Sequence, residues 1–238
     1  IYLKYLRKYK PDYSSLFLNG GAHIQHHYLY NSKMLNKDKN PSWYLPNDSD
    51  PFLDMLKTYD IILGNIMKIN YPFILATGMS QKLNGTKEFY YRLKNHKEFF
   101  KLINLNFISC NSRMSRDCEI IFNSNHDRDE AYNILSNIRE EQTKTLIFNE
   151  IEIREKSLFV ILTYPKEIKK DSSIVINKKS IKLESHVVFV AIKNGKHQSK
   201  GFAFFSESLK DIIPNQNAHV SELFNLIEQF FGLGSIKK

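Results

Sequence analysis

The sequence predicts an α/β fold, a layered α/β/α arrangement around a mainly parallel sheet with a hairpin-rich insertion. Two observations carry this. Helix-period and strand-period segments alternate along most of the chain. Several strand candidates are short continuous apolar runs, such as Tyr71-Pro72-Phe73-Ile74-Leu75-Ala76-Thr77, the pattern of strands buried on both faces. A length of 238 residues, with 42% hydrophobic and 13% aromatic content, suits a globular chain with a sizeable core. We read a single domain over residues 1–238 with a β-rich segment at about 145–185.

Each element has a local reason. Ile1, Leu3, Tyr5, Leu6 and Tyr9 fall near helical spacing, and Pro11 stops that helix. Residues 13–18 read as the first strand and residues 22–33, free of breakers, as a helix. A polar loop with Pro41 and Pro46 fills 36–50, interrupted by Trp43. Asp50-Pro51 then opens a helix, aspartate as N-cap and proline at the first position, with Phe52, Leu53, Leu56, Ile61, Ile62 and Ile66 as its stripe. Strands are expected at 71–77, 107–110, 119–122, 145–148, 151–153, 159–164, 187–192 and 202–205, and helices at 97–104, 127–139 and 219–231. Asn194-Gly195-Lys196-His197 reads as the turn between the last two strands, and Gly232 and Gly234 follow the last helix.

Composition narrows the function classes. No apolar run approaches the roughly 20 residues that span a bilayer, and the opening IYLKYLRKYK lacks a signal-peptide pattern. Two cysteines, Cys110 and Cys118, could pair in principle, but such sparse usage makes no disulfide framework and fits a reducing, cytoplasmic setting. The net charge of +9 comes from scattered lysines and arginines. Such a surface attracts anionic substrates without isolating a nucleic-acid groove. The oligomeric state stays open.

The chemistry concentrates at one strand exit. After Asn19-Gly20-Gly21, His23, His26 and His27 place three of the eight histidines within five residues. Ligand sites in open α/β sheets gather where a strand gives way to a helix, and imidazole is the commonest metal ligand and acid–base group near neutrality. On a helix His23 shares a face with His26 or His27. A zinc-protease arrangement needs glutamate after the first histidine, and Ile24 stands there. The alternative for the same residues is hydrogen bonding across a helix–loop surface. A second cluster, Arg113-Met114-Ser115-Arg116-Asp117, offers guanidinium forks for phosphate or sulfate oxygens, with Asp117 as a metal ligand or a base. Its alternative is an ion pair in a surface turn.

These residues carry a resemblance. Asn19-x-x-x-His23 after an apolar strand is similar to the Asp-x-x-x-His segment of the alkaline phosphatase superfamily, especially its type I phosphodiesterase/nucleotide pyrophosphatase branch. There that pair holds one of two metal ions, and a later histidine before a glycine and an apolar strand completes the site. Gly195-Lys196-His197-Gln198-Ser199-Lys200-Gly201-Phe202-Ala203-Phe204-Phe205 resembles that later segment. The resemblance implies a metal set of Asn19, His23 and His197 around a divalent ion, Zn²⁺ by ligand chemistry. Under it His26 or His27 would be general-acid or substrate contacts, and Arg116 and Asp117 join them as catalytic candidates on their own guanidinium and carboxylate chemistry. The resemblance also implies that the nucleophile and the first half of the fold precede Ile1. Two departures stand out: Asn19 replaces an aspartate, and the strand ending Thr77-Gly78-Met79-Ser80-Gln81 lacks the Asp-His of the second metal.

The expected function is a metal-dependent hydrolase or transferase with a degenerate metal site. Its substrate would be an anionic small-molecule, saccharide-linked or lipid-linked ester of phosphate or sulfate. An inactive anion-binding protein on the same scaffold, and a basic nucleic-acid-binding protein, are the alternatives.

Overall fold

The computed structural model describes residues 1–35, 38–114, 116–176, 178–214 and 217–233. The elements in order are α1 (Tyr2–Tyr9), α2 (Gly20–Tyr28), α3 (Pro51–Met67), β1 (Ile74–Thr77), β2 (Ser80–Leu93) and α4 (His96–Leu102). There follow β3 (Ser109–Ser112), β4 (Asp117–Ile121), α5 (Asn125–Leu135), β5 (Glu150–Arg154), β6 (Ser157–Ile161), β7 (Ser173–Ile176) and β8 (Lys179–Lys182). The chain closes with β9 (Val187–Gln198), β10 (Phe202–Phe205) and α6 (Glu222–Phe230). No helix of the described residues is long and apolar enough to cross a membrane. The expected loop start Asn36, and Ser115 and Gly234, lie outside the described residues.

Two units emerge, Ile1–Asn84 with Gly195–Lys238, and Gly85–Asn194, so the boundary falls inside β2 and β9. The second unit holds most of the buried apolar side chains. Its four-stranded sheet runs β3-β4-β6-β5, every ladder antiparallel. Alternation sorts the faces. Cys118, Ile120, Leu158 and Val160 point inward and are fully buried. On the other face Glu119 and Glu152 each stand opposite Phe159, and the Arg154 guanidinium covers that ring at 4.5 Å. Helix α5 starts at Ser124, whose hydroxyl accepts from Asp127 N at 3.1 Å, and buries Ala131 and Leu135. Helix α4 contributes Phe99 and Phe100, which meet Phe148 with ring centroids 6.2 Å away in both cases.

The first unit is built differently. Among its described residues only Leu29, Tyr30 and Leu209 are large apolar side chains that are buried. Helices α1, α3 and α6 bury no residue fully. Polar groups supply the ties. The Asp50 carboxylate caps α3 by accepting from Leu53 N at 2.9 Å and holds Lys33 N at 2.8 Å. The buried Asn31 carbonyl oxygen accepts from Asn40 N and Nδ2, at 3.1 and 2.8 Å. Strands β1 and β10 form a separate antiparallel ribbon, Ile74 opposite Phe205.

The expected layered, mainly parallel sheet is therefore overturned. The sheets have two to four strands, and the ladders β1–β10, β3–β4, β4–β6, β5–β6 and β7–β8 are antiparallel. Alternation of helix and strand misled because the path of the connection decides strand direction. After α5 the chain first lays down β5, and the Glu155-Lys156 turn brings β6 back between β4 and β5. The run 71–77 is also not doubly buried: Leu75 is 40% exposed in a two-stranded ribbon. Residues 13–18 form no strand, with Tyr13 and Phe17 exposed and no ladder beside them among the described residues. Residues 145–148 make only an isolated bridge, Arg139 opposite Leu146. The turn expected at 194–197 lies inside β9; β7 and β8 fall within the β-rich segment expected at about 145–185, and β2 lies where no strand is expected.

Candidate functional site: a four-imidazole cluster

Helix α2 begins at Gly20 because the chain must pass close to α3 there. The Tyr59 hydroxyl accepts from Gly21 N at 2.6 Å and donates to Leu18 O at 3.0 Å. A Cβ on Gly21 would lie 2.9 to 3.2 Å from the Tyr59 ring and hydroxyl. The Gly-Gly pair thus seats the helix start on Tyr59. Asn19 is the N-cap residue, and its side chain makes no cap hydrogen bond.

From this start the helix sets the imidazoles. His23 and His27, one turn apart, have ring centroids 4.7 Å apart, edge to face. His26 and His27 are 6.3 Å apart. Across from α2 the strand β9 brings His197 to 4.7 Å from the His26 ring. His23 and His197 are exposed, while His26 and His27 are half-buried, so the cluster is open to solute. His197 therefore adjoins His26, and His23 adjoins His27. Among the described residues no three of these imidazoles bring ligand atoms within 4.8 Å of one another.

One hydrogen bond settles the tautomer of His26. Its Nδ1 lies 3.1 Å from Gly195 O. A carbonyl oxygen can only accept, so Nδ1 carries the proton and the neutral ring keeps its lone pair on Nε2. Metal-ligating histidines have this arrangement, the outer nitrogen donating to a carbonyl while the other faces the ion.

Gln81 on β2 supports the same region and had no signal in the sequence. Its Nε2 donates to Ala22 O on α2 at 3.1 Å, and its Oε1 is buried without a hydrogen-bond partner among the described residues. Gly195 is the contact point. A Cβ there would lie 2.6 Å from Gln81 Oε1 and 2.8 Å from the Gln25 carbonyl oxygen. Backbone cannot swing aside as a side chain can, so Gly195→Ala is expected to push β9 off α2 and cost about 1–3 kcal/mol. Trp43, the one tryptophan, belongs to the same unit. Its fluorescence in a urea titration reads the loss as a lower midpoint; an unchanged midpoint would contradict the tight contact.

Arg116 and Asp117 belong to the other unit. The Arg116 guanidinium lies 3.9 Å over the Tyr90 ring, and Asp117 opens β4 opposite Ile161. Arg113 pairs with Glu119, whose carboxylate also accepts from Ser157 Oγ at 3.2 Å. Arg113 hydrogen-bonding, ahead of a smaller desolvation cost, holds the Glu119 carboxyl below its ordinary range. For Arg113 the ion-pair alternative describes what the side chain does.

His126, Asp127 and Glu130 at the start of α5 bring three ligand atoms within 4.8 Å. Asp127 already accepts from Ser124 Oγ at 2.6 Å and Asn106 Nδ2 at 3.0 Å. The group reads as helix capping in water.

Compared with protein families, with curated proteins and with solved structures, the chain matches none.

Proposed function

We propose that the chain is a metal-dependent hydrolase or transferase acting on a phosphate, phosphodiester or sulfate ester through the α2–β9 imidazole cluster. The observation that carries the reading is the Nδ1 hydrogen bond of His26 to Gly195 O, which leaves Nε2 as a ligand atom beside His197. The donor atoms that the structure brings together here are imidazole nitrogens. That chemistry suits Zn²⁺ or a similar transition ion rather than Mg²⁺ or Ca²⁺. Four imidazoles without a carboxylate do not fit a pair of closely spaced ions, so a single divalent ion is the match.

A divalent ion held there supplies Lewis-acid polarisation of an ester oxygen. His26 and His197, the two imidazoles brought face to edge at 4.7 Å, would hold it; His23, which the resemblance also names as a ligand, stands beside His27 instead. His27, beside His26, is the group we assign to proton transfer at the leaving oxygen. Lys196 and Lys200, flanking His197 in the chain, favour an anionic substrate.

The test is metal content after dialysis against Zn²⁺, followed by turnover of an aryl phosphodiester and an aryl sulfate. Wild type is expected to retain one equivalent and to hydrolyse one of the two esters. His26→Ala and His197→Ala are each expected to weaken metal binding by at least the roughly 10–100-fold typical of losing an outer partner. No metal in the wild type overturns the reading. Metal with no turnover of either ester overturns the enzyme and leaves an anion-binding protein.

A further inference from the structure

We propose that Cys110 and Cys118 form a peroxide-oxidisable dithiol, a site at which the chain takes up an intramolecular disulfide. Cys118 sits directly opposite Ser112, and Cys110 directly opposite Ile120, in the β3–β4 ladder. Opposed residues share a sheet face, so both cysteines lie on the inner one, diagonal to each other. The two thiols act on one another across the ladder.

The two sulfurs are not equivalent, and the difference assigns their roles. β3 is the edge strand of the sheet, and Cys110 on it is partly exposed. β4 is interior, and Cys118 is fully buried. Interaction with the Cys118 thiol lowers the Cys110 pKa against the opposing effect of burial. Interaction with Cys110, together with burial, pushes the Cys118 thiol up. Cys110 is thus the reachable sulfur with the greater thiolate character, and Cys118 is the sheltered partner beside it. That is the arrangement of an attacking and a resolving cysteine.

The oxidant is a hydroperoxide. Cys110 Sγ attacks one peroxide oxygen, the S–O bond forms as O–O breaks, and the thiol proton leaves on the departing oxygen as water. Cys118 Sγ then attacks the sulfenic sulfur; S–S forms, S–O breaks, and the Cys118 proton departs with hydroxide as a second water. Two thiols lose two electrons and hydrogen peroxide is reduced to two waters.

Arg113 and Arg116 lie between the cysteines, so trypsin separates them unless they are bridged. The experiment treats the native chain with hydrogen peroxide, titrates thiols and maps tryptic peptides without reductant. Both thiols are expected to disappear, with one cross-linked Cys110–Cys118 peptide that dithiothreitol releases. Cys110→Ser is expected to abolish the cross-link and leave Cys118 reduced. Cys118→Ser, where it folds, is expected to leave Cys110 as a sulfenic acid trapped by dimedone. Cys110 carried to sulfinic acid without a cross-link, or thiols that survive peroxide, overturns the proposal, and the wild-type map alone decides this.

Discussion

Phe100→Ala is expected to destabilise the Gly85–Asn194 unit by about 3–5 kcal/mol, the range for removing a buried aromatic side chain. Phe100 is 0% exposed. Its ring packs against Phe99 at 5.8 Å, Phe148 at 6.2 Å and Phe107 at 6.5 Å between centroids. Alanine leaves a cavity that these three rigid neighbours, on α4 and in two loops, cannot close, because each is held by its own backbone. The loss is read as a lower urea midpoint by far-UV circular dichroism, with faster amide exchange along β4 and β6. The matched control is Phe224→Ala on α6, where the ring is 66% exposed. A surface truncation of that kind changes stability by no more than about 0.5 kcal/mol. Equal effects at the two positions would contradict the assignment of the core.

Glu140→Ala is the second large effect, and it comes with a pH signature. The residue is 1% exposed, yet its carboxylate is satisfied. Oε2 accepts from Thr143 N at 2.7 Å and Oε1 from Gln142 N at 3.3 Å. Around it the turn closes on itself: Glu140 N donates to Thr145 O and Lys144 N to Glu140 O, both at 2.9 Å. An isolated bridge to Ile174 ties the turn to β7. Removing the carboxylate strands two backbone donors in the interior and is expected to cost about 2–3 kcal/mol. Burial alone would raise the Glu140 pKa, but the donors from Thr143, Gln142 and Ser173 outweigh it and hold it below the ordinary value. A native pKa lower than the unfolded one, about 4.3, gives a contribution that is complete above that pH. It is lost as pH falls through the native pKa. The gap between wild type and Glu140→Ala is therefore expected to be flat from pH 7 to 5 and to narrow in stronger acid. A gap that widened on acidification would contradict the depressed pKa.

Legibility in the sequence followed the range of the interaction. The Asp50-Pro51 helix start is local chemistry, and α3 begins there with the expected cap. The histidine cluster was visible because α2 carries three of its members within five residues. Its partner His197 was legible through the resemblance, but the neighbour it meets, His26 rather than His23, depends on how β9 lies against α2. Gln81 and Gly195 left no signal, since a glutamine and a glycine acquire their roles only from the backbone groups beside them. Residues 13–18 failed for the opposite reason. They have the apolar content of a strand, and a strand exists only where another chain segment accepts its hydrogen bonds.

What the sequence by itself determined is the set of local propensities and the chemistry available: where most helices begin and which residues supply imidazoles. Strand direction, sheet membership and the pairing His26–His197 were decided by the tertiary structure. The physical reason is that a ladder or a cross-chain contact is a property of two segments at once. Ile120 faces Leu158 across β4 and β6 because β5 intervenes in the chain and turns β6 back. His26 keeps its proton on Nδ1 because Gly195, 169 residues away, has no side chain to hold the strand off.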